Sequence, residues 1–194
     1  MTKGRLEAFS DGVLAVIIAI MVLELKVPHG DDLHALDGML PGFLGYVLSF
    51  INVGIYWNNH HHLLQATRHI SGSVMWANLH LLFWLSLVPV STGWVGANPS
   101  APWPTALYGL ILLMAALAWL LLETRIIAVN GLDSELALAV QHGAKENVSP
   151  VLYTLAIGLS FVRPWIAQVL YAVVALIWFV PDRRIESKIT GERS

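Results

Sequence analysis

The chain has no cysteine, which excludes disulfides, thiolate metal sites and a cysteine nucleophile. Charge is scarce as well. Asp, Glu, Lys and Arg make up 12% of the 194 residues, about half the share usual in soluble domains, while 56% are hydrophobic. None of these four residue types occurs from Gly38 to Thr67 or from Ile70 to Leu122. Apolar stretches of that length exceed the roughly 20 residues needed to cross a bilayer. The pattern predicts an all-α polytopic membrane protein. It reads as a single domain over residues 1–194, because no hydrophilic block is large enough to fold alone. A formal net charge of -2 argues against nucleic acid as a partner. Phosphate loop, nucleophile elbow and zinc-protease motif are all missing, so nothing points to an enzyme or a cofactor. The carbonyl filter string Thr-Val-Gly-Tyr-Gly is missing too.

What is present is organised as six apolar segments. They run from about Arg5 to Val27, Asp37 to Leu64, Gly72 to Val95, Trp103 to Val129, Val148 to Val162 and Pro164 to Val180. Pro150 and Pro164 suit early helix positions, where the missing N–H would be unpaired anyway. Lys3 and Arg5 ahead of an apolar run resemble a signal peptide. However, Asp11 interrupts the run and Leu23-Glu24-Leu25-Lys26 offers no small-residue cleavage site, so the segment reads as a retained first helix. In a six-span arrangement Lys3, Arg5, Arg68, Arg125, Lys145, Arg183, Arg184, Lys188 and Arg193 fall on one side, and only Lys26 and Arg163 on the other. The positive-inside rule then puts both termini in the cytoplasm. The acidic loop with Asp31, Asp32 and Asp37 lies outside. A short cytoplasmic helix is predicted over Glu135 to Gln141, capped by Asp133 or Ser134.

The feature that stands out is Asp11, preceded by Ser10, inside the first apolar helix. An intramembrane charge is expensive and normally faces a bundle interior or a water path. Topology brings Trp57, Asn58, Asn59, His60, His61 and His62 of the second span, and Trp76, Asn78 and His80 of the third, to the depth of Ser10 and Asp11. The expectation is a polar layer joining Asp11 and Ser10 to His60 or His61, Asn78 and a tryptophan N–H. It serves as structural glue, as the support of a path, or as both. The consecutive histidines His60 to His62 point about 100° apart on a helix, so they cannot share one metal ion. A zinc or haem site would need His80 or Asp11 as well, which leaves a metalloprotein as a remote third class. On the helical period Phe9, Val16, Ile20 and Leu23 form one apolar stripe. Glu24 shares a stripe with Ile20, Ile17 and Val13, facing either a path or a neighbouring helix.

Arg5, Phe9, Ser10 and Asp11 at the head of a first span resemble the signature of one family, that of the lysosomal potassium channel transmembrane protein 175 and its bacterial homologues. Trp57, His60 and His61 on the second span agree with it, as do Asn78-Leu79 followed by Leu85, Ser86, Leu87, Pro89 and Thr92 on the third. The resemblance covers the first three spans. It implies a single-repeat bacterial member that forms a homotetramer in the cell membrane, with the first helix of each copy lining a potassium-permeable pore without a pore loop. Carried onto this chain, the apolar constriction falls at Val16, Ile20 and Leu23. Arg5, Phe9, Ser10, Asp11, Trp57, His60, His61 and Asn78 form the supporting network. Ala19 stands where the family often has a threonine linked to potassium preference, so weak potassium over sodium selectivity is expected. The alternative is a proton-coupled transporter that uses Asp11 with His60 or His61 as a relay.

Overall fold

A computed structural model describes residues 2–28, 32–131 and 144–179, apart from the side chains of residue 35 and of 144–147. Asp31, the expected helix Glu135 to Gln141 with its caps Asp133 and Ser134, the side chain of Lys145, and Val180, Arg183, Arg184, Lys188 and Arg193 lie outside that description. Among the described residues all regular structure is helical. The order is α1 (Lys3–Leu23), a 3-10 segment (Leu33–Met39), α2 (Leu40–Gln65), α3 (Gly72–Ser86), α4 (Val88–Ala97), α5 (Pro102–Asn130), α6 (Ala144–Ser160) and α7 (Pro164–Phe179). Four helical stretches are long and apolar enough to cross a membrane: Lys3–Leu23, Leu36–Gln65, Gly72–Ala97 and Pro102–Asn130. Val148–Ser160 and Pro164–Phe179 are shorter apolar helices.

The helix boundaries follow from local chemistry. α1 stops at Leu23, a turn before the expected Val27, and Glu24 N–H closes on Ile20 O at 3.2 Å. Pro28 follows Val27, and a residue before proline is pushed out of helical conformation. The third segment, expected as one helix, breaks at Leu87. Pro89 lacks an N–H and its ring crowds the preceding turn, so α4 starts afresh at Val88. Pro164 begins α7 as expected. Pro150 does not begin α6, which starts at Ala144 and contains the proline in its interior. The carbonyl of Pro150 is met by Thr154 Oγ1–H at 2.8 Å. Gly131 ends α5 with φ 96°, a conformation that only glycine adopts without strain.

α1 lies on α2, α3 and α4, and α5 backs them through α3 and α4. On its other side α5 carries α6 and α7. The first core is built by Leu14, Ile17 and Met21 of α1 with Leu81 and Leu85 of α3 and Leu122 of α5. The second joins Tyr108 and Leu112 of α5 to Tyr153 of α6 and Tyr171 of α7. In lipid there is little hydrophobic drive between helices, so close van der Waals approach decides packing, and small residues permit it. The crossing of α2 and α4 shows this: a methyl group placed on Gly96 would lie 2.9 Å from Gly42 Cα. Gly96→Ala is therefore expected to force the two helices apart, costing about 1–3 kcal/mol as overpacking does. Gly54→Ala, with nothing within 4 Å of the new methyl, is the matched control. Thermal stability of the two purified variants in detergent should fall for the first and stay unchanged for the second.

Candidate ion pathway and the polar layer behind it

α1 has two distinct sides. Leu6, Ser10, Leu14, Ile17 and Met21 are buried against the rest of the chain. They recur at three- and four-residue spacing, one face of a 3.6-residue helix. The stripe read from the sequence lies elsewhere on the helix: Phe9 is 47% exposed, Val16 57%, Ile20 41% and Leu23 80%. Gly12, Ala15 and Ala19 are exposed too. The chain thus holds one face of its first helix and leaves a long apolar face uncovered.

The buried face is fixed by a hydrogen-bond chain with a defined direction. Ser10 Oγ–H donates to Leu6 O at 2.9 Å, so the same oxygen accepts from Asn78 Nδ2 at 3.0 Å. The amide of Asn78 is thereby oriented with its oxygen towards His60 Nε2, 2.7 Å away. That oxygen can only accept, so the His60 proton sits on Nε2. The chain runs from α2 through α3 to the backbone of α1, and Ser10 and Asn78 are fully buried. Each group left unmatched in such a setting costs desolvation free energy, so the three side chains lock one another.

Asp11 lies outside this chain. It is exposed, and its Oδ1 accepts Trp57 Nε1–H at 3.0 Å. Neither histidine considered as its partner bonds to it. His60 is committed to Asn78. His61 Nε2 accepts from Gln65 Nε2 at 2.8 Å, with the His61 ring stacked on Trp57 at 6.3 Å between centroids. The expected single layer is thus two separate sets, one buried around Ser10 and one exposed around Asp11. Other residues expected at this depth are dispersed. Asn58, Trp76 and His80 are exposed, and Asn59 Nδ2 bonds its own helix at Ile55 O. Arg5 is exposed and makes no ion pair among the described residues. No group of three histidine, aspartate or glutamate side chains converges on one point among the described residues. At the far end of α1, Glu24 leans on α4: a methyl group on Gly93 would sit 3.2 Å from its Oε2.

Two buried polar features were not read from the sequence as hydrogen-bonded sets, although Thr92 belongs to the family pattern. Thr92 Oγ1–H donates to Val88 O at 2.8 Å, so Ser49 Oγ donates to Thr92 at 2.7 Å and accepts from Tyr108 Oη at 3.0 Å. This second directed chain ties α5, α2 and α4. Glu123, 5% exposed, accepts Trp119 Nε1–H at 2.6 Å. Lone hydroxyls in apolar runs form no motif, and Glu123 reads in sequence only as the end of a charge-free stretch. Ser10→Ala is expected to leave Asn78 Nδ2 without an acceptor and to cost about 1–3 kcal/mol. Asp11→Asn, which keeps an acceptor for Trp57 at an exposed site, is expected to cost less. Thermal unfolding of both purified variants in detergent measures the difference.

The chain is similar to known proteins along its whole length. The sequence profile of the family described as endosomal/lysosomal potassium channel TMEM175 matches residues 5–89. A potassium channel of Chryseobacterium sp. (strain P1-3) is 56% identical over 189 residues, which is 97% of this chain and 98% of the relative. A potassium channel of Streptomyces collinus (strain DSM 40733 / Tue 365) is 30% identical, with 91% of both chains aligned. The crystal structure of a lysosomal potassium-selective channel TMEM175 homolog from Chamaesiphon minutus superposes with a TM-score of 0.79 at 27% identity, covering 92% of this chain and 96% of that one. These matches, together with the Phe9-Ser10-Asp11 string at the head of α1, lead to one conclusion: this chain belongs to the TMEM175 family, a family of ion channels and not of enzymes.

Proposed function

We propose that this chain forms a passive, potassium-permeable cation channel in a bacterial plasma membrane. It does so as a single domain of six spans, four copies of which surround a pore lined by α1. The observation that carries the reading is the two-sidedness of α1. Its buried face is bolted to α2 and α3 by the chain His60–Asn78–Ser10, while Val16, Ile20 and Leu23 project outward and stay 41–80% exposed. A helix held firmly on one side, presenting an apolar stripe on the other, suits a wall shared around an axis. There Val16, Ile20 and Leu23 would set the constriction and control its wetting. The relatives named as potassium channels support potassium as the permeating ion. Both termini are taken as cytoplasmic from the distribution of Lys and Arg.

The device is a ring of side chains and not a cage of backbone carbonyls. Selectivity then depends on what lies next to the constriction. Ala19 is exposed on α1 and carries no hydroxyl, so a partly dehydrated ion gains no ligand there. Arg5, Phe9, Asp11, Trp57 and His61 surround the inner end of the same helix and act on its placement.

Two outcomes are expected from potassium-driven flux into liposomes carrying the purified protein. Val16→Asn should raise flux by on the order of tenfold, equivalent to about 1.4 kcal/mol off the barrier, because a polar ring wets more readily. Ile20→Asn and Leu23→Asn should act in the same direction. Unchanged flux in all three would contradict a constriction at this stripe. Separately, Ala19→Thr should shift the reversal potential under a potassium–sodium gradient towards the potassium value.

A further inference from the structure

A cleft lies between α2, α5, α6 and α7, and α1 contributes nothing to it. It is therefore separate from the proposed path. Its depth follows from the helices that form it. Lys3 Nζ bonds Gln65 O, so the end of α2 lies on the side of the N-terminus. Asn59 lines the cleft within about two turns of that end, and Ser149 within about two turns of the start of α6. Trp178, next to the last residue of α7, closes the same side. The cleft thus sits near one membrane interface, where tryptophan is enriched and the polar groups of lipids begin.

The lining holds oxygen atoms that the chain itself does not use. Neither indole N–H is free: Trp119 donates to Glu123 Oε1 at 2.6 Å and Trp178 to Ser149 Oγ at 2.7 Å. Asn59 Nδ2 is turned to its own helix at Ile55 O, and its amide oxygen accepts no hydrogen bond among the described residues. The hydroxyls of Tyr56 and Tyr153 make none there either. Tyr153 is only 3% exposed. Among the described residues no fully enclosed side-chain oxygen or nitrogen lacks a partner, so the Tyr153 oxygen opens to the cleft. A hydroxyl in such a place costs desolvation free energy unless a molecule from outside the chain meets it.

Size and charge narrow down that molecule. The cavity volume is about 30 Å3, room for two water-sized groups at roughly 10–15 Å3 each. One oxygen and one carbon, the head of a primary alcohol, fill it. No Asp, Glu, Lys, Arg or His lines the cleft, so neither an anionic headgroup nor a metal cation finds a counter-charge. Ile55, Ala116 and Leu120 are half-buried and give an apolar edge along which a hydrocarbon chain can leave.

We propose that this cleft binds a neutral amphiphile, a lipid or alcohol with a free primary hydroxyl, by taking that hydroxyl between α2 and α6. The ligand proton goes to Asn59 Oδ1, and the ligand oxygen accepts the Tyr153 hydroxyl proton, with Tyr56 beside it. A hydroxyl uses both kinds of open group at once, which an ester carbonyl cannot do.

The test is photolabelling of the purified full-length protein in detergent with octan-1-ol carrying a diazirine on its chain, read by peptide mass spectrometry. The expected result is saturable labelling of α5 at Trp119 or Leu120. Excess octan-1-ol or monooleoylglycerol should lower it several-fold, and octane or dioleoyl phosphatidate at the same mole fraction should not. Tyr153→Phe keeps the ring and removes the hydroxyl, and it should lower the labelling several-fold; Asn59→Leu tests the other partner. The competition needs no variant, so it stands even where a substitution prevents folding. Absence of saturable labelling on α5 would mean that water alone enters, and would overturn the site. Equal protection by octane would make it an apolar slot that reads no hydroxyl. Protection by phosphatidate would overturn its neutrality, and wild-type labelling of both variants would remove the assigned hydrogen bonds.

Discussion

One directed hydrogen-bond chain governs how this protein presents its first helix. His60 Nε2–H donates to Asn78 Oδ1, Asn78 Nδ2 donates to Ser10 Oγ, and the Ser10 proton goes to the backbone of α1 at Leu6. Because the groups are buried in a low-dielectric setting, a rotation of α1 would strand at least one of them, and that rotation is therefore resisted. The consequence reaches along the helix. With Ser10 turned inward, Leu14, Ile17 and Met21 must follow, and Val16, Ile20 and Leu23 must face out. A polar contact near one end thus sets which apolar residues are available to a path.

The rest of the fold is held by the same means. Lipid offers helices little reason to associate, so shape and hydrogen bonding decide. The hydroxyl chain Tyr108–Ser49–Thr92 joins α5, α2 and α4, as the Ser10 chain joins the first three helices. The bare backbone contact of Gly42 and Gly96 brings α2 and α4 close enough for that chain to form. Pro89 has the matching role along the third helical stretch. By breaking it at Leu87 it lets α4 lie on α2 as well as on α1 and α5, while α3 packs on α5 and α1.

Much of this was legible from residue order. Scarce charge and long apolar runs give a helical membrane protein, and α2, α3, α4 and most of α5 fall inside the two charge-free stretches. The family was legible in Phe9-Ser10-Asp11 and its companions. Where the reading failed, the reasons are local. Pro150 suited an early helix position in a segment starting near Val148, because its missing N–H would be unpaired there, yet α6 begins at Ala144. Asp11 was expected among the histidines because depth can be counted along a span. The direction in which a side chain leaves its helix also depends on how each neighbour is rotated, and that placed His60 against Asn78 and His61 against Gln65.

By itself the sequence determined the composition of the helices, their order, and the apolar stripe of α1, because hydropathy and the 3.6-residue period are properties of one segment at a time. Only the tertiary structure decided which side of α1 is bolted down, that Ser10 and Asp11 belong to different sets, and that Ser49, Thr92 and Tyr108 meet at all. Those facts depend on contacts between residues far apart in the chain, 43 positions for Ser49 and Thr92 and 68 for Ser10 and Asn78, and no local pattern encodes a rotation between two helices.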